Sequence, residues 1–119
     1  MLCSGVMVQA RKRPLPVGAL TLSTQPPRRN GGNIDNKELT AGTILYLPIH
    51  TDGALFSCGD GHGAQGAGEV CVNAYETGLS GTFEMIVLYA MQLKCPLEEK
   101  PTHVIALGFV PVLDAMARR

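Results

Sequence analysis

The chain has no tryptophan, three phenylalanines and three tyrosines in 119 residues, so aromatic side chains cannot supply much of its core. It has no net charge, with ten lysines and arginines against ten acids. The whole-chain balance therefore selects neither a polyanion nor an anionic membrane surface as partner. No apolar run approaches the ~20 residues that span a bilayer. The four cysteines, Cys3, Cys58, Cys71 and Cys95, contain no C-x-x-C spacing, which argues against a structural zinc knuckle. Acids are missing from residues 1–30, which carry Arg11, Lys12, Arg13, Arg28 and Arg29. No aromatic residue interleaves with that basic cluster, so base stacking has no support and nucleic acid is not expected as a partner. The apolar start precedes the basic cluster, the reverse of a secretory signal. A cytoplasmic setting with reduced thiols is the expectation.

What the chain does have is glycine, 14 residues of it, concentrated where chemistry-bearing side chains also gather. Gly59-Asp60-Gly61-His62-Gly63-Ala64-Gln65-Gly66-Ala67-Gly68-Glu69 sets two acids, an imidazole and an amide on a backbone otherwise of glycine and alanine. Such a segment adds little to a core and loses much chain entropy on folding. It reads as a site. Its Gly61–Gly66 stretch satisfies G-x-G-x-x-G, but a dinucleotide fingerprint must open a helix, and a β-branched alternating segment follows here.

Around this segment the pattern is that of short strands. Residues 1–27 hold four prolines and little periodicity and read as an irregular basic leader, with a short strand possible at 18–22. Residues 28–119 read as one partial β domain. Thr43–His50 is strand-like, with Pro48 marking an edge or a strand end. Thr51-Asp52-Gly53 is a turn, Ala54–Cys58 a short apolar strand, and Glu69–Thr77 an alternating strand. Thr82–Leu93 is long enough for a helix but sits among strands, and a strand through Tyr89 is favoured. Thr102–Gly108 is a further strand, and Val112 onward starts a helix that stops after two turns, as in a truncated chain. The fold class is mainly β, with antiparallel strands forming part of a barrel-like or sandwich domain and a short helix at the C-terminus.

Asp60 and His62 lie two apart, so on an extended backbone their side chains share a face. Asn33-Ile34-Asp35 repeats that polar-x-polar spacing after Gly31-Gly32. Brought together with Gln65 and Glu69, these residues make a mixed oxygen and nitrogen set suited to a divalent cation, zinc in the first instance. Water on such a cation can attack a carbonyl at neutral pH while a carboxylate relays its proton. The alternative is a polar glycine-rich loop with a surface histidine.

Gly31-Gly32-Asn33-Ile34-Asp35-Asn36-Lys37, Leu45-Tyr46-Leu47-Pro48, Gly53-Ala54-Leu55-Phe56, the Gly59–Glu69 segment, Pro101-Thr102-His103 and Gly108-Phe109 together resemble the acetamidase/formamidase family. The resemblance runs from about residue 25 to 119, in order and in register. It implies a hydrolase of short linear amides, a small amide as substrate, a largely β fold with barrel-like domains, and homo-oligomeric assembly. It carries over Asn33, Asp35, Asp60, His62, Gln65 and Glu69, with His103 as a further candidate. Chemistry then suggests Asp35, Asp60 and His62 as metal ligands, Glu69 as general base, and Asn33 and Gln65 as donors to the amide or oxyanion. The family pattern has an acid where this chain has Ala67, and its members are longer at both ends. A remnant that binds metal, ligand or partners without turnover is therefore the competing expectation. Cys58 and Cys71 are expected to be buried thiols, Cys58 with a nucleophile reading beside it. His50 is expected at a surface turn, and Glu98-Glu99-Lys100 in a solvated one.

Overall fold

A computed structural model describes residues 6–9 and 27–109. The chain forms strands β1 (Val6–Gln9), β2 (Ile44–Pro48), β3 (His62–Gln65), β4 (Ala74–Glu76), β5 (Met85–Leu88), β6 (Leu97–Glu99) and β7 (Val104–Ala106). A short 3-10 turn at Ala67–Glu69 lies between β3 and β4. Five strands build one sheet in the order β5-β1-β2-β6-β7, and β3 with β4 forms a second, two-stranded sheet. The protein is mainly β, as expected, with antiparallel pairing everywhere except at β1, and no barrel closes among the described residues. No helix among them is long and apolar enough to cross a membrane. The strand expected at 18–22 and the helix expected from Val112 fall outside the described residues.

One strand was not foreseen. Val6–Gln9 lies inside the segment expected to be an irregular leader, yet β1 sits between β2 and β5 and runs parallel to both. Parallel neighbours require long crossovers, and residues 10–43 separate β1 from β2. The prolines and basic residues that follow β1 hid a four-residue strand whose partners are remote in sequence.

β2 holds the large sheet together. It pairs parallel to β1 and antiparallel to β6, with Leu45 opposite Glu98, and both of these side chains are buried. Pro48 closes the strand, where a missing N–H costs no ladder bond. β6 and β7 form a hairpin whose turn is closed by the Lys100 and His103 main chains, each N–H donating to the other's carbonyl at 2.9 and 3.3 Å. Pro101 and Thr102 form its tip, so Glu98 and Glu99, expected in a solvated turn, are strand residues instead. β5 occupies Met85–Leu88, so the ambiguous 82–93 stretch contains a short strand and no helix.

The buried apolar core among the described residues is small: Leu45 and Ile49, with Leu47, Ala54 and Phe83 packed against Ile49. The Phe56 and Phe83 rings meet tilted at 59° with centroids 5.7 Å apart. A tilted aromatic pair is worth about 0.5–1.5 kcal/mol beyond its buried area. That contact fastens the segment entering the glycine-rich stretch to the one leading into β5.

Two expected strands are absent or shorter, for a common backbone reason. Ala54–Cys58 is irregular because the turn at Thr51 continues through Gly53, Ala54 and Leu55, all at positive φ. Leu55 is consequently 76% exposed. Glu69–Thr77 contributes strand only at Ala74–Glu76, since Glu69, Cys71 and Val72 also take positive φ. Cys58 and Cys71, expected to be buried in those strands, are exposed thiols.

Candidate active site

The candidate site lies where the Asn33–Asn36 loop meets the β3–β4 hairpin, facing an open cleft of about 1350 Å³. The hairpin is built on β3, inside the glycine-rich segment. His62 pairs with Glu76, Ala64 with Tyr75 and Gln65 with Ala74, with an irregularity between His62 and Ala64. Main-chain bonds from Thr77 N–H to the Gly61 carbonyl (2.7 Å) and from Gly66 N–H to the Asn73 carbonyl (2.9 Å) extend the pairing at both ends. Glycine at 61 is required by space: a Cβ there would lie 2.8 Å from the Thr77 carbonyl oxygen and from Leu79. The glycines thus let two backbones close around the histidine.

Asn33, Asp35, Asp60 and Glu69 all have φ between 47° and 61°. The shared-face expectation for Asp60 and His62, and for Asn33 and Asp35, assumed extended backbone, so the spacing argument fails for both pairs. Left-handed turns bring the carboxylates of Asp35, Asp60 and Glu69 together instead. Asparagine and aspartate tolerate this region better than other side chains, which suits three of the four positions.

Among the described residues, two trios have ligand atoms all within 4.8 Å of one another: Asp35, Asp60 and Glu69, and Asp60, His62 and Glu76. His62 Nε2 lies 3.2 Å from Glu69 and 4.0 Å from Asp60. Its Nδ1 lies 2.9 Å from the Asp60 carbonyl oxygen. A carbonyl only accepts, so Nδ1 carries a proton and donates it to Asp60, which turns the Nε2 edge of the ring toward the carboxylates. Nε2 is buried and makes no well-aligned hydrogen bond, for its close approach to Glu69 is off the bonding direction. A ring nitrogen tied to a backbone carbonyl with the other directed at carboxylates is how histidines that hold metals are oriented.

Like charges crowd this space. Asp35 is pushed above the usual carboxylate range, first by burial, then by its hydrogen bond to Glu69 and the negative charges of Glu69 and Asp60, with His62 opposing. Two carboxylates about 4 Å apart repel by about 4 kcal/mol at an effective dielectric of ~20. Solvent lowers that figure at Asp60, which is half exposed. A proton or a cation offsets the rest. Gln65 Nε2 donates to Glu69 Oε2 at 3.1 Å, so this amide holds Glu69 in place.

Residues 4–101 match the Acetamidase/Formamidase family. The chain belongs to this family. It is similar to the acetamidase of Mycolicibacterium smegmatis, 49% identical over 47 residues, which are 40% of this chain and 12% of that protein. It is also similar to the formamidase of Methylophilus methylotrophus, 43% identical over 61 residues, 51% of this chain and 14% of that protein. The chain thus spans 12–14% of the length of these curated relatives. No solved structure matches it. The family match begins at residue 4, well before the first motif noted in the sequence and ahead of β1.

Of the residues that the resemblance carried over, Asp35, Asp60, His62, Gln65 and Glu69 come together, and Asn33 lines the cleft. His103 does not join them. It is exposed at the β6–β7 turn, with its Nδ1 2.8 Å from the Thr102 hydroxyl. Two residues escaped the sequence reading. Glu76 faces His62 across the hairpin, and only the register of β3 against β4 reveals it. Glu98, fully buried on β6, accepts a hydrogen bond from Asn36, the neighbour of Asp35.

Proposed function

We propose that this chain carries part of the centre of an enzyme that hydrolyses the C–N bond of short linear amides, converting formamide or acetamide to carboxylate and ammonia. The observation that supports this most is the orientation of His62, whose Nε2 faces clustered carboxylates beside an open cleft while Nδ1 is tied to a backbone carbonyl. Asp35, Asp60 and His62 are the residues that would hold a divalent cation, zinc first, divided between two trios that share Asp60: Asp35 is grouped with Glu69, and His62 with Glu76. When bound, such a cation supplies positive charge that polarises the amide carbonyl and offsets the repulsion among the acids. Glu69, held by Gln65, takes the proton of the attacking water and returns it to the departing nitrogen. Asn33, which lines the cleft, would orient the amide or stabilise the oxyanion.

Homo-oligomeric assembly belongs to the same proposal, supported by the exposure of Met85, Ile86 and Val87 on the edge strand β5. So does a reducing, cytoplasmic setting, which fits the free thiols Cys58, Cys71 and Cys95. A second reading, binding of metal or amide without turnover, is favoured by Ala67. This residue stands exposed on the 3-10 turn before Glu69, where it offers no oxygen. Metal analysis of the purified chain, with ammonia release from formamide and acetamide beside His62→Ala, separates the two. Turnover that needs metal and His62 supports the amidase. A folded sample that keeps zinc and releases no ammonia supports the binding reading.

A further inference from the structure

The loop that carries Asn33 and Asp35 is fastened to the large sheet from below, through residues that have no part in the chemistry above. Glu98 is 0% exposed, an uncommon place for an acid, and Asn36 Nδ2 donates to its Oε2. The other face of Asn36 orders the loop: its Oδ1 accepts the Glu38 N–H at 3.0 Å and its carbonyl accepts the Leu39 N–H at 3.1 Å. Glu38 is held in turn by Lys100 Nζ at 2.9 Å, and its carbonyl accepts from the hydroxyl of the buried Thr43 at 3.2 Å. Glu98 and Lys100 both come from the β6 hairpin, so one side of the sheet grips the loop at two points. The loop needs the grip. Asn33 and Asp35 sit at φ 50° and 47°, a region that these two residue types tolerate but that neighbouring contacts must select over the commoner backbone conformations.

We propose that Glu98 and Asn36 form a positioning pair that fixes the left-handed turn at Asp35, and so holds the Asp35 carboxylate against Asp60 and Glu69. The pair touches no substrate. It acts through the backbone of the residue next to it in the chain, as a buried acceptor that only a correctly folded Asn33–Asn36 loop can satisfy. Its consequence for a cation rests on the amidase-centre reading, and its effect on the loop does not.

The test measures amide hydrogen exchange and zinc affinity on the same variants of the full chain. Glu98→Leu and Asn36→Ala are expected to lower protection of the Leu39 amide at least tenfold while β2 amides keep theirs. Both are expected to weaken zinc binding by about 10- to 100-fold, the usual effect of losing a group that orients a ligand. Glu98→Gln keeps an oxygen for Asn36 and should behave as wild type, and the double variant should be no worse than either single one. Ile49→Val, a core change away from the loop, should move neither readout. Unchanged Leu39 protection and zinc affinity in Glu98→Leu would overturn the proposal. Should Glu98→Leu not fold, Asn36→Ala supplies both readouts from a half-buried loop position. Absence of zinc binding by the wild type would refute the cation reading, and Leu39 exchange alone would then decide the positioning pair.

Discussion

Adding one methyl group at residue 61 should disable the site without removing any of its chemistry. Gly61 lies between Asp60 and His62, and its backbone does not need positive φ, so alanine is permitted there by conformation. Space forbids it. The new Cβ would meet the Thr77 carbonyl oxygen at 2.8 Å, where ordinary contact begins at 3.4 Å, so the strands must separate by roughly 0.6 Å. That oxygen belongs to backbone and cannot rotate away, and Thr77 itself donates to the Gly61 carbonyl at 2.7 Å. Overpacking of this kind costs about 1–3 kcal/mol. In a chain of 119 residues each kcal/mol lowers Tm by about 4 °C. The same shift moves His62 against Asp60 and Glu69, and misplacement by ~1 Å can cost ~100-fold in rate. Gly63→Ala is the matched control, since its Cβ would sit 3.5 Å from the Thr77 methyl, an ordinary contact. Thermal melts with ammonia release or zinc affinity as the second readout decide the matter. Gly61→Ala indistinguishable from Gly63→Ala in both would refute the close approach of the two backbones.

Asp60 belongs to both trios of candidate ligands, so Asp60→Asn should weaken zinc binding at least tenfold more than Glu76→Gln, measured by calorimetry. Glu38 is held down to about 2 by hydrogen bonds from Lys37 and Lys100 and by their charges. Its contribution to stability is therefore full above the ordinary value of 4.5 and lost as pH falls toward about 2. The difference in urea midpoint between wild type and Glu38→Gln should shrink over that range and shrink further in high salt; a constant difference would refute the assignment. Glu98 shifts the other way, raised chiefly by burial, against the lowering effect of its Asn36 hydrogen bond. Stability from this group is full below 4.5 and is lost as pH rises through its higher folded value. Glu98→Gln should accordingly gain in Tm relative to wild type as pH goes from 4 to 8, and a pH-independent difference would count against a charged, buried Glu98.

The parts of the fold that were legible in the sequence are those written in local pattern. Thr43–His50 alternates and is β-branched, and it became β2; the end of that strand was legible in Pro48. Met85–Leu88 and Val104–Ala106 followed their apolar content. β1 was not legible because its partners lie across long crossovers and its neighbours are prolines and basic residues. Ala54–Cys58 and Val70–Val72 looked like strands by composition, but consecutive positive-φ residues turn the chain there, and composition does not report φ at non-glycine positions. The candidate site was found through its residue types and motif order, while the geometric reason first given for it, extended backbone with alternate faces, does not hold at Asp60 or Asp35. Glu76 and Glu98 were invisible for a related reason: their importance arises from what lies opposite them, His62 and Asn36, at separations that no local pattern encodes.

The left-handed backbone at Asn33, Asp35, Asp60 and Glu69 changes how the site must be dissected by mutation. Alanine at any of these positions alters two things at once, the functional group and the torsional preference, because an ordinary L side chain resists that region by about 1–2 kcal/mol. A loss seen in an alanine scan would therefore confound chemistry with backbone collapse. Aspartate-to-asparagine exchange at 35 and 60 separates them, since both residues accept the turn and only one carries the charge. At 69, glutamine removes the charge and keeps the glutamate's shape, while glycine, which accepts the turn and carries no side chain, is the complementary control.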